Sequence, residues 1–111
     1  MDELERQLNG IGFKTNRIPE HKILVIEDYV IGAGPHASKT VRLGLSAGDF
    51  PFTPPAGIHV SPKLRPDGQN NINASPLGNE WQYWSRRLPD WGKDRSARHI
   101  IAYINKVFLN G

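Results

Sequence analysis

The chain has 111 residues, of which 38% are apolar and 23% charged, and its aromatics are 3 Trp, 3 Tyr and 4 Phe. That is enough for one core, too short for two ordinary domains and too apolar for wholesale disorder. A formal charge of +3, from 14 basic and 11 acidic residues, names no partner by itself, while the absence of cysteine excludes disulfides, thiolate metal sites and a cysteine nucleophile.

The acidic start, residues 1–5, is the opposite of a secretory leader. The longest apolar run, residues 23–26, falls far short of the roughly 18 residues of a membrane span. A cytoplasmic location without membrane contact is therefore expected. Asp2 is the expected N-cap of a first helix over residues 2–10. Leu4, Leu8 and Ile11 recur there at helical spacing until Gly10 and Gly12 end it. Residues 13–18 read as a first strand stopped by Pro19, and residues 22–31, β-branched and aromatic, as a second. Gly32, Ala33, Gly34 and Pro35 form a connector. It is not a phosphate cradle, because no Gly-Lys-Ser/Thr follows and Pro35 removes an amide.

Residues 39–46 alternate, with Val41, Leu43 and Leu45 on one face and Thr40 and Arg42 on the other. A fourth short strand over residues 57–60 puts Ile58 and Val60 on one face and turns His59 towards solvent or a helix. Residues 62–78 carry no period and are rich in Pro, Gly, Asn and Asp, which predicts a long loop of the kind that is often functional. Trp81 and Trp84, three apart as on a helical turn, close the core beneath that loop; one is assigned to the core and the other is left open to a partner. A last helix over about 95–109, capped by Asp94 or Ser96, carries Ala97, Ile100, Ile101, Ile104, Val107 and Phe108 on one stripe before Asn110 and Gly111 end it. There is no internal repeat. The order predicts one α+β domain over residues 1–111: a four-stranded antiparallel meander flanked by an N-terminal and a C-terminal helix.

The stretch Asp49, Phe50, Pro51, Phe52, Thr53, Pro54, Pro55 resembles the Tyr-Pro-Phe-x-Pro-Pro signature of ubiquitin-conjugating (E2, UBC-fold) domains, with Phe50 in the Tyr position. It lies where that fold places it, after one helix and three strands. Its prolines cannot donate to a sheet, so the segment runs along an edge or leaves it, with the aromatics pinning the turn to the core. Residues 80–87, Glu-Trp-Gln-Tyr-Trp-Ser-Arg-Arg, followed by Pro89, Trp91 and an apolar helix, resemble a group of prokaryotic E2-like proteins. Members of that group are encoded beside an E1/ThiF-like adenylating enzyme, a JAB-type metalloprotease and a ubiquitin-like protein.

The resemblance implies a UBC-like fold and those three partners. It also implies an active site, of which this chain keeps only the proline of a tripeptide and not the cysteine. Active E2 enzymes carry a His-Pro-Asn tripeptide ahead of a cysteine that is charged as a thioester. A gapless count from Pro54 and Pro55 puts Arg65, Pro66 and Asp67 at the tripeptide and Ser75 at the cysteine. An Asp there would repel the oxyanion that the Asn amide supports, and a serine needs an adjacent base. Because the family's first helix engages E1, Glu3, Arg6 and Gln7, opposite Leu4 and Leu8, are candidate contacts. Trp81, Tyr83, Arg86 and Arg87 form a competing surface of residue types favoured at binding hot spots.

Among the other constellations, His21, His36, His59 and His99 lie too far apart to suggest a metal pair, and no cofactor is implied. Ser75, His59 and Asp67 can be written as a triad, as can trios in most chains. Asn73, Ala74 and Ser75 fit a glycosylation sequon by chance. The leading expectation is a non-catalytic E2-like scaffold. The alternatives are an unorthodox E2 using Ser75 as acyl acceptor, or an E2 whose cysteine was replaced. A third reading is a nucleic-acid or general protein-binding module built on the basic, aromatic C-terminal third, although nucleic acid is the less favoured partner.

Overall fold

The computed structural model describes all residues from Met1 to Gly111. Helix α1 (Asp2–Ile11) buries Leu4 and Leu8, one turn apart on the same face. Asp2 does not cap it. Met1 precedes the helix without a side-chain bond, and the Asp2 carboxylate instead accepts from Arg17 Nη2 at 2.7 Å. With Glu3 and Glu5, Asp2 places three acids in the first turn, at the positive end of the helix dipole. Gly12 closes the helix at φ 112, donating to the Asn9 carbonyl while the Phe13 N–H reaches that of Leu8. Those two bonds need a left-handed residue between them. Ile11, expected on the buried stripe, stays 38% exposed at the point where the chain reverses.

Six strands follow, all paired antiparallel: β1 (Lys14–Ile18), β2 (Ile23–Val30), β3 (Thr40–Ser46), β4 (Gly57–Ser61), β5 (Ile72–Ala74) and β6 (Gln82–Ser85). Their spatial order is β1-β2-β3-β4-β6-β5, so the first four form a meander and β6 slots between β4 and the edge strand β5. The expected count of four is thus too low. Strand β5 lies inside the segment read as loop, and β6 replaces the helical turn read for Trp81 and Trp84. Strands of three and four residues are too short to show a period, and the spacing of two tryptophans misled where alternation of Gln82 and Trp84 against Tyr83 is the true pattern.

One face of the sheet carries both helices. Leu24, Ile26, Val41, Leu43, Leu45, Ile58, Val60, Ile72 and Trp84 pack in a single cluster with Leu4, Leu8 and, from helix α2 (Ala97–Asn110), Ile100, Ile104 and Phe108. Pairing slips between Ile26 and Tyr29, where Asp28 adopts φ 53, so that Tyr29 and Ile31 rejoin the helix-facing side. Of the two expected caps for α2, Ser96 serves, its hydroxyl accepting from the His99 N–H at 3.3 Å. Gln7 Oε1 accepts from the Ala97 N–H at 2.7 Å, which ties α1 to the start of α2.

The opposite face is also covered. Ile23, Val25 and Trp81 form a second cluster with Ile18 and Leu77, so both tryptophans of the 81–84 pair are buried, one on each face. His59, expected near solvent or a helix, lies instead in this second layer and is 6% exposed, because the loop before β6 folds over it. In the proline-rich segment the Phe50–Pro51 peptide is cis, as is Ser61–Pro62. Only Phe50 anchors the turn: it meets Trp91 edge-on at 5.9 Å, and Trp91 Nε1 donates to the Pro51 carbonyl at 2.9 Å. Phe52 is 77% exposed, contrary to the expectation that both aromatics would be pinned.

Two glycines set a test of this packing. Gly34 holds φ 91, and a Cβ there would fall on the Phe108 carbonyl of α2, whereas Gly10 is helical and faces open space. Gly34→Ala should destabilise by ~2 kcal/mol or more through strain and steric conflict, whereas Gly10→Ala should stabilise by about 0.5–1 kcal/mol. Urea midpoints of the two variants should therefore move in opposite directions; an unchanged Gly34→Ala would mean that this loop does not sit against α2.

Candidate functional site

The segment between β4 and β6 wraps the end of the sheet, and the two adjoining strands hold it by residues of opposite orientation. Gln82 opposes Val60 in the β4–β6 register and so points to the helix-bearing face, fully buried. Its Oε1 accepts from the N–H groups of Leu64 and Arg65 at 2.9 and 3.3 Å and from Trp84 Nε1 at 3.0 Å. Its Nε2 donates to the Arg65 carbonyl at 2.8 Å and to Asp67 Oδ1 at 3.0 Å. Asp67 also accepts from Lys63 Nζ at 2.7 Å. These bonds, that from Lys63 foremost, hold its carboxyl below the usual range. Arg65 Nη1 donates to the Gly111 carbonyl.

Ser75 belongs to the other face. It follows β5, half-buried, and its Oγ lies 2.8 Å from His59 Nδ1 while accepting the Leu77 N–H at 3.1 Å. The His59 ring also packs on Tyr83 at 4.7 Å between centroids. Burial, with the nearby charge of His21 adding to it, pushes the His59 pKa down to about 4. The imidazole is therefore neutral near pH 7, and with its proton on Nε2 it can accept from the hydroxyl. Burial likewise pushes the Tyr83 hydroxyl up.

The structure thus brings Ser75 and His59 together and leaves Asp67 out of the pair. Asp67 is committed to Lys63 and Gln82. No carboxylate orients His59, as a triad requires. Arg65, Pro66 and Asp67 are tethered from the helix-bearing side and Ser75 from the opposite side, so the four residues do not converge on one reacting atom. One residue of this site, Gln82, escaped the sequence reading, although it carried a weak signal as a polar residue alternating with Trp84. Ser75 and His59 figure there only as two members of a trio with Asp67, and no spacing marks them as a pair, since 16 residues and a wrapped loop separate them.

The candidate partner contacts are unequal. Glu3 and Arg6 form an exposed pair at 2.6 Å that holds the Glu3 carboxyl down. Gln7 is half-buried and committed to Ala97. Trp81 is 7% exposed beneath the Arg42 guanidinium, which stands 5.2 Å above its ring, and Tyr83 is half-buried. Arg86 lies over Trp84 at 5.4 Å, and Arg87 is exposed. No helix is long and apolar enough to cross a membrane. Family models, curated proteins and solved structures were all compared with this chain, and none matches it.

Gln82→Ala leaves the Leu64 and Arg65 amides and the Trp84 indole without their acceptor. The loss should be ~3 kcal/mol, since buried donors left unpaired cost ~1–3 kcal/mol each before relaxation. Amide exchange at Leu64 and Arg65 should accelerate well beyond the rest of the sheet, and unchanged protection there would refute the tether. His59 makes stability depend on pH. Its pKa is lower folded than unfolded, so the unfolded chain binds the extra proton and stability falls as pH drops from about 6.5 to about 4. His36, also pushed down by burial, acts in the same direction. Chemical denaturation across that window should show a shallower pH slope for His59→Gln than for the parent chain.

Proposed function

We propose that this chain is a non-catalytic E2-like scaffold of UBC type, which binds an E1/ThiF-like adenylating enzyme or a ubiquitin-like protein in a bacterial conjugation system that includes a JAB-type protease. The element order supports the reading: an N-terminal helix, a four-strand meander, a proline-rich crossover ahead of β4, a long loop and a C-terminal helix. Strands β5 and β6 extend that plan. The two stretches that carry the resemblance also touch, through Trp91 and the Pro51 carbonyl.

The observation that carries the non-catalytic part is the loop. It has no thiol, and its Asp67 and Ser75 are held from opposite faces of the sheet. A thioester relay needs a sulfur nucleophile and an uncharged donor beside the forming oxyanion. This loop offers an alcohol and a paired carboxylate. One specific contact favours a second reading, acyl transfer onto Ser75: its Oγ has a neutral imidazole 2.8 Å away.

Incubation with the E1-like protein, ATP and the ubiquitin-like protein separates the two. The scaffold reading expects an unmodified intact mass and measurable binding by titration calorimetry. A thiol-stable, hydroxylamine-labile adduct lost in Ser75→Ala would establish the second reading instead. Arg6→Glu, at an exposed helical position, should leave stability within about 0.5 kcal/mol, yet weaken E1 binding by ~2 kcal/mol if α1 is the anchor. Loss with Arg86→Glu alone would move the interface to the 81–87 segment, and no loss with either would remove the scaffold reading.

A further inference from the structure

A groove of about 590 Å³ runs along α2 beside the turns that follow β4 and β6. Arg65, Arg86, Arg87 and Lys106 line it. The ion pairs of this chain engage Arg6, Lys14, Arg17, Arg42, Lys63 and Lys93, and none engages a cation of the groove. Asp90 is the only acidic side chain on the lining, and it faces Lys93 at 3.7 Å. Like charges gathered with few counter-charges repel one another and weaken the compact state. Bonds to backbone carbonyls account for where Arg65 and Arg86 sit, but not for the exposed charges of Arg87 and Lys106 beside them, which an anion would neutralise.

The groove is also built. Gln82 fixes the Arg65 backbone, and the Arg65 side chain is held on the Gly111 carbonyl. Arg86 rests over Trp84 and donates through Nη1 to the carbonyls of Asn70 and Ser85 at 2.8 and 2.9 Å. Two of the four cations are therefore ordered before any ligand arrives, which lowers the entropy cost of binding. On α2, Ala102 and Val107 add apolar lining beside His99 and Lys106.

We propose that this groove binds an acidic peptide segment of a partner protein; the site shares Arg86 and Arg87 with the 81–87 surface of the scaffold reading and is separate from the α1 surface. The aromatic residues argue for peptide over nucleic acid. Single-stranded nucleic acid is bound by stacking bases on exposed rings. Here Trp84, Trp91 and Tyr103 are 0%, 8% and 6% exposed, and the Tyr103 hydroxyl donates to the Arg86 carbonyl at 2.8 Å. An extended peptide needs only carboxylates for the cations and small apolar contacts for the apolar lining.

The test is anisotropy titration of a fluorescein-labelled oligoglutamate peptide, with a single-stranded oligonucleotide of equal charge as competitor. The full chain should bind the peptide at low salt and more weakly at physiological salt. The double variant Arg87→Glu/Lys106→Glu, both positions exposed, should lose about tenfold or more in affinity, as expected when two charge-assisted contacts are reversed. Its thermal midpoint should match that of the parent chain. Arg6→Glu, which is not on the lining of the groove, should bind the peptide as the parent does. Three results overturn the proposal: no peptide binding at low salt, binding unchanged in the double variant, or an oligonucleotide that outcompetes the peptide at equal charge.

Discussion

The side-chain amide of Gln82 is the interaction on which the rest of this structure depends. An amide buried without partners costs several kcal/mol, so a fully buried glutamine persists only where all its groups are met. Here three donors converge on its oxygen and two acceptors on its nitrogen. Those bonds pin the loop after β4 to the helix-bearing face and orient the Trp84 indole in the core. They also place Arg65 beside α2. By alternation they fix Tyr83 on the opposite face, where it packs on His59.

This arrangement separates what an E2-type site would need to bring together. Residues 65–67 and Ser75 belong to one segment, yet the strand pleat sends their anchors to two sides of the sheet. The Ser75–His59 contact then has a plain structural role: it ties down the turn into Leu77, which covers Gly44 and Ile23. The same contact is the only feature of the loop with nucleophilic chemistry in it, because burial keeps the imidazole unprotonated.

The second face of the sheet is a thinner layer than the first, and charge completes it. Arg42 donates to both Glu27 oxygens at 2.6 and 3.1 Å, holds that carboxyl below its usual range, and covers Trp81. Asn16 adds a bond to Glu27 at 2.7 Å. Pairs this close to solvent contribute about 0–1 kcal/mol each, so their larger effect is to place the long arginine stem over an indole that water would otherwise reach.

The sequence by itself determined the helices, the first four strands and the inward faces of β3 and β4. Each of those rests on local chemistry: the Leu4–Leu8 and Ile100–Ile104 spacings, the Ser96 cap, and the alternation of Val41, Leu43 and Leu45. It also determined that no thioester can form, because that follows from composition alone. Tertiary structure decided what local chemistry leaves degenerate. Strands β5 and β6 are too short to carry a period and exist because β4 offers an edge to pair with. Strand β4 is buried throughout, on both faces, so His59 in a polar position of the pattern said nothing about its true surroundings. The meeting of Ser75 with His59, and of Arg65 with Arg86, Arg87 and Lys106, depends on how a long loop wraps a sheet end. Contacts between residues far apart in sequence leave no spacing to read, and only the folded chain could show them.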